Sequence, residues 1–235
     1  MRVAYFCDTY EPQINGVAMT LKRLHQYAGA HHIETVFLVP SYPGARESQE
    51  NVHRISSLPL LFYRDCRIAV PPMLKAERLL DCFQPDIIHA FSEFTISLAA
   101  IRYVRKRNVP IVSSFTTNFI TYLHYYNLDF LGPCLETYLN WFHNSCRLTL
   151  CPSERTKKYL IRQNIRHTGI MKRGVDSGRF SPAFRSAAFR RRVGAGSRTI
   201  VFSYVGRISP EKDLDILAES IRQIKRQYGE RAVFV

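Results

Sequence analysis

The chain has 235 residues, with 33 lysines and arginines against 19 aspartates and glutamates, a formal net charge of +14. At 46% hydrophobic and 22% charged it is not a disordered chain, and its 11 glycines and 12 prolines lack the period of a collagenous one. No stretch approaches the roughly 18 apolar residues of a membrane span, and Arg2 with Asp8 soon after is unlike a secretory leader.

From the amino terminus, short β-rich runs alternate with helical patterns. Arg2–Cys7 reads as a buried strand, and Val17, Leu21, Leu24 and Ala28 then recur at helical spacing. Strands follow at Glu34–Val39 and Val52–Ser56, then an irregular, Pro-containing stretch to Pro72 and a helix at Leu74–Phe83 stopped by Pro85. Asp86–Phe91 is a strand, Thr95–Arg107 a helix with a basic last turn, and Pro110–Phe115 another strand. The aromatic stretch from Phe119 to Arg147 predicts two helices broken at Gly132-Pro133. Leu148–Cys151 is a short strand, and Pro152-Ser153 caps a helix from Glu154.

From Lys172 to Arg198 the texture turns to Gly, Ser, Pro and Arg without period, as in an interdomain linker. The pattern then restarts with a strand at Thr199–Val205, a helix at Asp213–Tyr228 and the opening of a strand at Ala232–Val235. Strands alternating with crossover helices predict an α/β fold with a mainly parallel sheet covered on both faces. The expected domains are 1–173, complete and Rossmann-like, a linker at 174–198, and 199–235 as the first β-α-β of a second Rossmann-like domain. So small a piece does not bury a core of its own.

Two loops carry chemistry. Asp8-Thr9-Tyr10-Glu11-Pro12-Gln13-Ile14-Asn15-Gly16 runs from the first strand into the first long helix. Ligands of doubly wound sheets bind beyond the carboxyl ends of strands, and a helix amino terminus favours phosphate. Gly16 lets backbone approach such a ligand with no Cβ in the way. The second loop, Tyr204-Val205-Gly206-Arg207-Ile208-Ser209-Pro210-Glu211-Lys212-Asp213, sets Arg207 and Lys212 before a helix start, where two cations neutralise a diphosphate.

These loops belong to five blocks, namely AYFCDTYEPQINGV, PDIIHAFSEF, SFTTNFITYLHYY, CPSERTKKYL with KRGVDSGRFSP, and YVGRISPEKDLDIL. In this order, from Arg2 to Val235, the sequence resembles the GT-B glycosyltransferases of family 4, retaining enzymes that include GDP-mannose-dependent α-mannosyltransferases. The resemblance implies an active site between two Rossmann-like domains and hexosyl transfer, mannosyl first, to a lipid or glycan hydroxyl. It implies a nucleoside-diphosphate sugar as donor, GDP-mannose or UDP-hexose, with neither cofactor nor metal. By the same resemblance Gly16, Arg207 and Lys212 contact the donor phosphates, and Asn15, Glu93, Asn118 and Tyr122 line the cleft for donor or acceptor.

Two positions depart from the family. Thr116 stands where a histidine is usual; threonine donates a hydrogen bond but cannot take a histidine's part in moving protons. Ser97 stands where glycine is common. The family's ribose and donor-sugar contacts come from a segment beyond Val235, so this chain alone is expected to bind donor poorly and turn over little. The alternative reading is a non-catalytic remnant or partner subunit that keeps the acceptor-side fold, with a separate polypeptide completing the donor domain.

Basic clusters at Arg102–Arg107, Lys157–Arg166 and Arg185–Arg192 suit an anionic membrane surface, so a peripheral position at the inner face of the membrane is expected. Six cysteines at 7, 66, 82, 134, 146 and 151 stand singly, which indicates no zinc site or disulfide framework and a reduced, cytoplasmic setting. Gly194-Ala195-Gly196 precedes a strand instead of following one, no P-loop occurs, and no nucleic-acid motif accompanies the charge. His31 and His32 read as surface residues, His124 and His143 as packing or cleft residues, and His89 as either a site residue or a satisfied core histidine.

Overall fold

The computed structural model describes residues 1–44, 51–59, 67–69 and 73–235. Cys66, and much of the stretch leading to Pro72, lie outside the described residues. In chain order the elements begin with β1 (Arg2–Phe6), α1 (Gly16–Ala30), β2 (Glu34–Pro40), β3 (Val52–Ile55), β4 (Leu58–Pro59) and β5 (Arg67–Ile68). Next come α2 (Met73–Phe83), β6 (Ile87–Ala90), α3 (Thr95–Arg107), β7 (Ile111–Ser114), α4 (Phe119–Tyr125) and α5 (Gly132–Asn144). The remainder is β8 (Leu148–Cys151), α6 (Glu154–Arg162), β9 (Thr168–Ile170), α7 (Ala187–Arg192), β10 (Ile200–Phe202), α8 (Leu214–Tyr228) and β11 (Ala232–Phe234).

Most elements lie where the sequence puts them, and the departures have local causes. Gly132-Pro133, expected as a break, instead opens α5, because proline at a helix's first turn lacks only an amide that has no partner there. The stretch 174–198, expected to be irregular, holds α7, whose Ser186 side chain accepts from the Phe189 amide at 3.1 Å. β9 is three residues long, too short to show a period in sequence.

The chain forms two compact units, Met1–Asn118 with Gly132–Arg173, and Phe119–Leu131 with Gly174–Val235. The first holds a seven-stranded sheet in the order β3-β2-β1-β6-β7-β8-β9, with every pairing parallel. Strand order reverses at β1, so the loops after β1 and β6 flank the switch point, where doubly wound sheets bind ligands. Alternation along β1 divides the core. Ala4 and Phe6 join Val36, Leu38, Leu80 of α2 and Ile96 of α3 on one face. Val3, Tyr5 and Cys7 join Phe37, Val39 and Leu21 of α1 on the other. Each fully buried Phe or Leu contributes about 1.5–3 kcal/mol by leaving water.

The second unit is built on a single parallel pair, β10 with β11, registered Ile200 to Ala232 and Phe202 to Phe234. Phe202 and Phe234 stack with ring centres 4.9 Å apart, while Val205 and Ile208 are 96% and 91% exposed. α4 reaches the turn before α8 through Tyr125, whose hydroxyl donates to Asp213 Oδ1 at 2.9 Å.

Candidate active site

In the first unit, the carboxyl ends of β1, β6, β7 and β8 gather a polar network. Asp8, just past β1, is buried and accepts from Ser92 Oγ at 2.6 Å, Thr95 Oγ1 at 3.3 Å and the Ile96 amide at 3.0 Å. Asp8 therefore caps α3 from across the switch point, a task the sequence does not display because the partners lie more than eighty residues away. Burial raises its carboxyl to about 6, although these three hydrogen bonds pull the other way.

Asn15 caps α1, its Oδ1 accepting from the amides of Val17 at 3.0 Å and Ala18 at 2.9 Å, while Nδ2 donates to Thr9 Oγ1 at 2.9 Å. Its side chain is thus committed to shaping the loop. A Cβ on Gly16 would lie 3.0 Å from Nη1 of Arg173, so a cation the sequence reading does not single out occupies the space beside the α1 amino terminus. Burial lowers the Arg173 pKa.

Thr116 and Asn118 follow the end of β7 and are half-buried, and Asn118 hydrogen-bonds Tyr159. Glu93, expected to line a cleft, is instead 1% exposed, its carboxylate turned into the protein toward His143 of α5. The cause is tertiary: Tyr138 of α5 donates to the Glu93 carbonyl and holds the turn after β6 against that helix. Ser97 is buried and donates to the Phe6 carbonyl at 3.4 Å. His89 is a core histidine, 2.7 Å from Ser114 Oγ and brought down to about 3 by burial.

In the second unit, Arg207 Nη2 lies 3.3 Å from Glu211 Oε1. The Glu211 side chain is 1% exposed, against 46% for Arg207. Burial alone would raise that carboxyl, but neighbouring hydrogen-bond donors with Arg207 and Lys212 hold it below the ordinary glutamate range. The loop thus carries its own counter-charge, which orients Arg207. Lys212 is exposed just before α8. Gly206 leaves room for the Tyr204 ring, since a Cβ there would lie 2.8 Å from its hydroxyl. That hydroxyl donates to the Arg207 carbonyl at 2.8 Å and braces the loop. Tyr122 of α4 is half-buried against Phe119 in an edge contact, ring centres 6.3 Å apart.

Of the basic clusters, Lys106 and Arg107 are paired with Glu77 and Asp81 of α2 at 2.7 and 2.8 Å, and Arg190 donates to the carbonyls of Gly196 and Thr199. Arg155, Lys157, Lys158 and Arg162 of α6 have no ion pair among the described residues. No described helix is long and apolar enough to cross a membrane, and no described cluster of histidine, cysteine or carboxylates could hold a metal.

A seven-stranded parallel sheet with a polar switch point, followed by a second β-α-β with two cations before its helix, defines a doubly wound α/β architecture. Residues 14–179 match the family pattern of Glycosyltransferase Family 4, and the chain belongs to that family. It is 28% identical over 222 residues to a GDP-mannose-dependent alpha-mannosyltransferase of Mycobacterium tuberculosis, covering 92% of this chain and 58% of that protein. It is 26% identical over 237 residues to an alpha-monoglucosyldiacylglycerol synthase of Streptococcus pneumoniae, covering 97% of this chain and 53% of that one. The chain thus spans little more than half the length of these relatives. Sucrose-phosphate synthase from Thermosynechococcus elongatus shares the fold, with a TM-score of 0.66 at 13% identity over 100% of this chain and 70% of that one.

Proposed function

We propose that the protein takes part in retaining transfer of a hexosyl group, mannosyl first, from a nucleoside-diphosphate sugar to a hydroxyl of a lipid or glycan. The observation that carries this reading is the family match over residues 14–179, with relatives named for mannosyl and glucosyl transfer. Donor-phosphate contacts are assigned to Gly16, Arg207 and Lys212, and substrate lining to Asn118 and Tyr122, with Asn15 holding the Gly16 loop in shape. In the reaction the bond from the anomeric carbon to the diphosphate breaks as the acceptor oxygen bonds to the same face. The acceptor's proton leaves with the departing phosphate oxygens. Arg207 and Lys212 offset the charge on that leaving group, the step at which fixed cations lower a barrier most. Thr116 is assigned a hydrogen bond to the sugar in place of proton transfer.

Residues 1–173 are assigned to the acceptor side, 174–198 to the linker and 199–235 to the donor side. Docking of α6, with its unpaired basic side chains, on an anionic membrane would bring a lipid acceptor to the enzyme. Incubation with GDP-mannose or UDP-glucose and lipid or glycan acceptors, with NMR of the product's anomeric proton, tests the reading. An α-glycoside is expected. A β-configured product, or a protein that neither consumes these donors nor binds GDP in calorimetry, overturns it.

A further inference from the structure

Glu93 and His143 are each 1% exposed, and Glu93 Oε1 lies 3.6 Å from His143 Nε2. Glu93 Oε1, Glu93 Oε2 and His143 Nε2 are all buried without a hydrogen-bond partner among the described residues. Buried polar atoms left unpaired cost about 1–3 kcal/mol each, more when charged, so three facing one another call for a cause. The other side of the imidazole is occupied. His143 Nδ1 lies 3.0 Å from Ser113 Oγ and 3.4 Å from Thr149 Oγ1, and the two hydroxyls are 3.0 Å apart.

Every element around the pair is apolar or carries a group that supplies no counter-charge to Glu93. β1 brings Cys7 and the loop carboxyl of Asp8, itself engaged with α3. α5 and its exit bring Tyr138, whose hydroxyl is spent on the Glu93 carbonyl, and Cys146. The Phe115 and Phe142 rings flank the imidazole with centres at 5.8 and 5.3 Å. No lysine or arginine pairs with Glu93 among the described residues. A carboxylate here needs a donor and a carboxylic acid needs an acceptor, and Nε2 serves either need.

We propose that Glu93 and His143 hold one proton in common between a carboxylate oxygen and Nε2, and that this bond locks the turn after β6 to α5. Closing the gap by less than about 1 Å gives an ordinary hydrogen-bond length. Glu93 is then a positioning residue. Its turn includes Ser92 and leads to Thr95 and Ile96, the groups that hold Asp8, so the bond fixes the switch point from beneath. The proposal rests on the transferase reading only for what that switch point serves.

Proton NMR of the whole chain with nitrogen-labelled histidine tests it without any donor. The expected signal is one far-downfield, exchange-protected proton correlated with His143 Nε2 in the wild type and lost in Glu93→Gln. In a folding cycle with His143→Gln, the double variant should lose less than the two singles together, a coupling of about tenfold in the unfolding constant. A wild-type spectrum without that proton, as a bridging water would give, overturns the proposal. So does persistence of the signal in Glu93→Gln. Nucleotide binding, measured separately, bears on the transferase reading alone.

Discussion

The two units place their polar side chains in opposite ways. In the first, Asp8, Glu93, His89 and His143 are sealed beneath the ends of four parallel strands. In the second, Arg207 and Lys212 stand on an exposed turn beside a two-stranded sheet, and only Glu211 behind them is buried. A sealed network fixes geometry but ties stability to proton uptake, whereas exposed cations stay available to an anion and contribute little to folding.

The sharpest break between the units should come from their phenylalanines. Phe6 is fully buried, so Phe6→Ala should cost about 4 kcal/mol in denaturant unfolding. Phe202 is 40% exposed and retains one stacked neighbour, so Phe202→Ala should cost about 1 kcal/mol. Equal losses would mean that the second unit is as tightly cored as the first.

Proton linkage comes next. Asp8 is raised from 3.8 to about 6, so the folded state binds its proton more tightly than the unfolded chain does. The stability it brings is present below pH 3.8 and is lost as pH rises through 6, roughly 3 kcal/mol in all. Asp8→Asn should remove this slope, so the difference in stability between wild type and variant should move by most of that amount from pH 4 to pH 7. A difference independent of pH would show Asp8 to be solvated.

How much of this was legible in sequence follows the same division. Period and length revealed α3 and β8 to the residue, and the exposed Arg207–Asp213 turn is a contiguous string whose charges can be read directly. The network of the first unit joins residues 84 to 88 positions apart from β1 and 30 to 36 apart around β7, and no local pattern announces such partners. Glu93 was visible as a residue to watch, yet its inward turn depends on Tyr138 of a helix 45 positions later. Beside Gly16 the neighbour is equally remote in sequence, the Arg173 guanidinium.

For the exposed turn, the effect should appear in binding instead of folding. Arg207→Gln should weaken GDP binding on the order of tenfold and lower stability less than Glu211→Gln does, because other donors and Lys212 still hold the Glu211 carboxylate. Glu211→Gln loses a buried carboxylate that orients Arg207, so it should reduce both stability and binding. Unchanged GDP affinity in Arg207→Gln would remove that residue from the proposed donor contacts.

The smallest effects concern how each unit starts its long helix. Asn15 gives α1 two hydrogen bonds from one side-chain oxygen, so Asn15→Ala should cost about 1 kcal/mol. Asp213 starts α8 at φ +48 and makes no capping bond; its carboxylate is held by Tyr125 instead. Glycine reaches that backbone conformation without strain, so in Asp213→Gly the relief should offset the lost bond to within a few tenths of a kcal/mol. A loss at position 213 as large as that at 15 would mean that the bond to Tyr125 outweighs the strain. The exposed turn would then be held by α4 more firmly than its solvent exposure suggests.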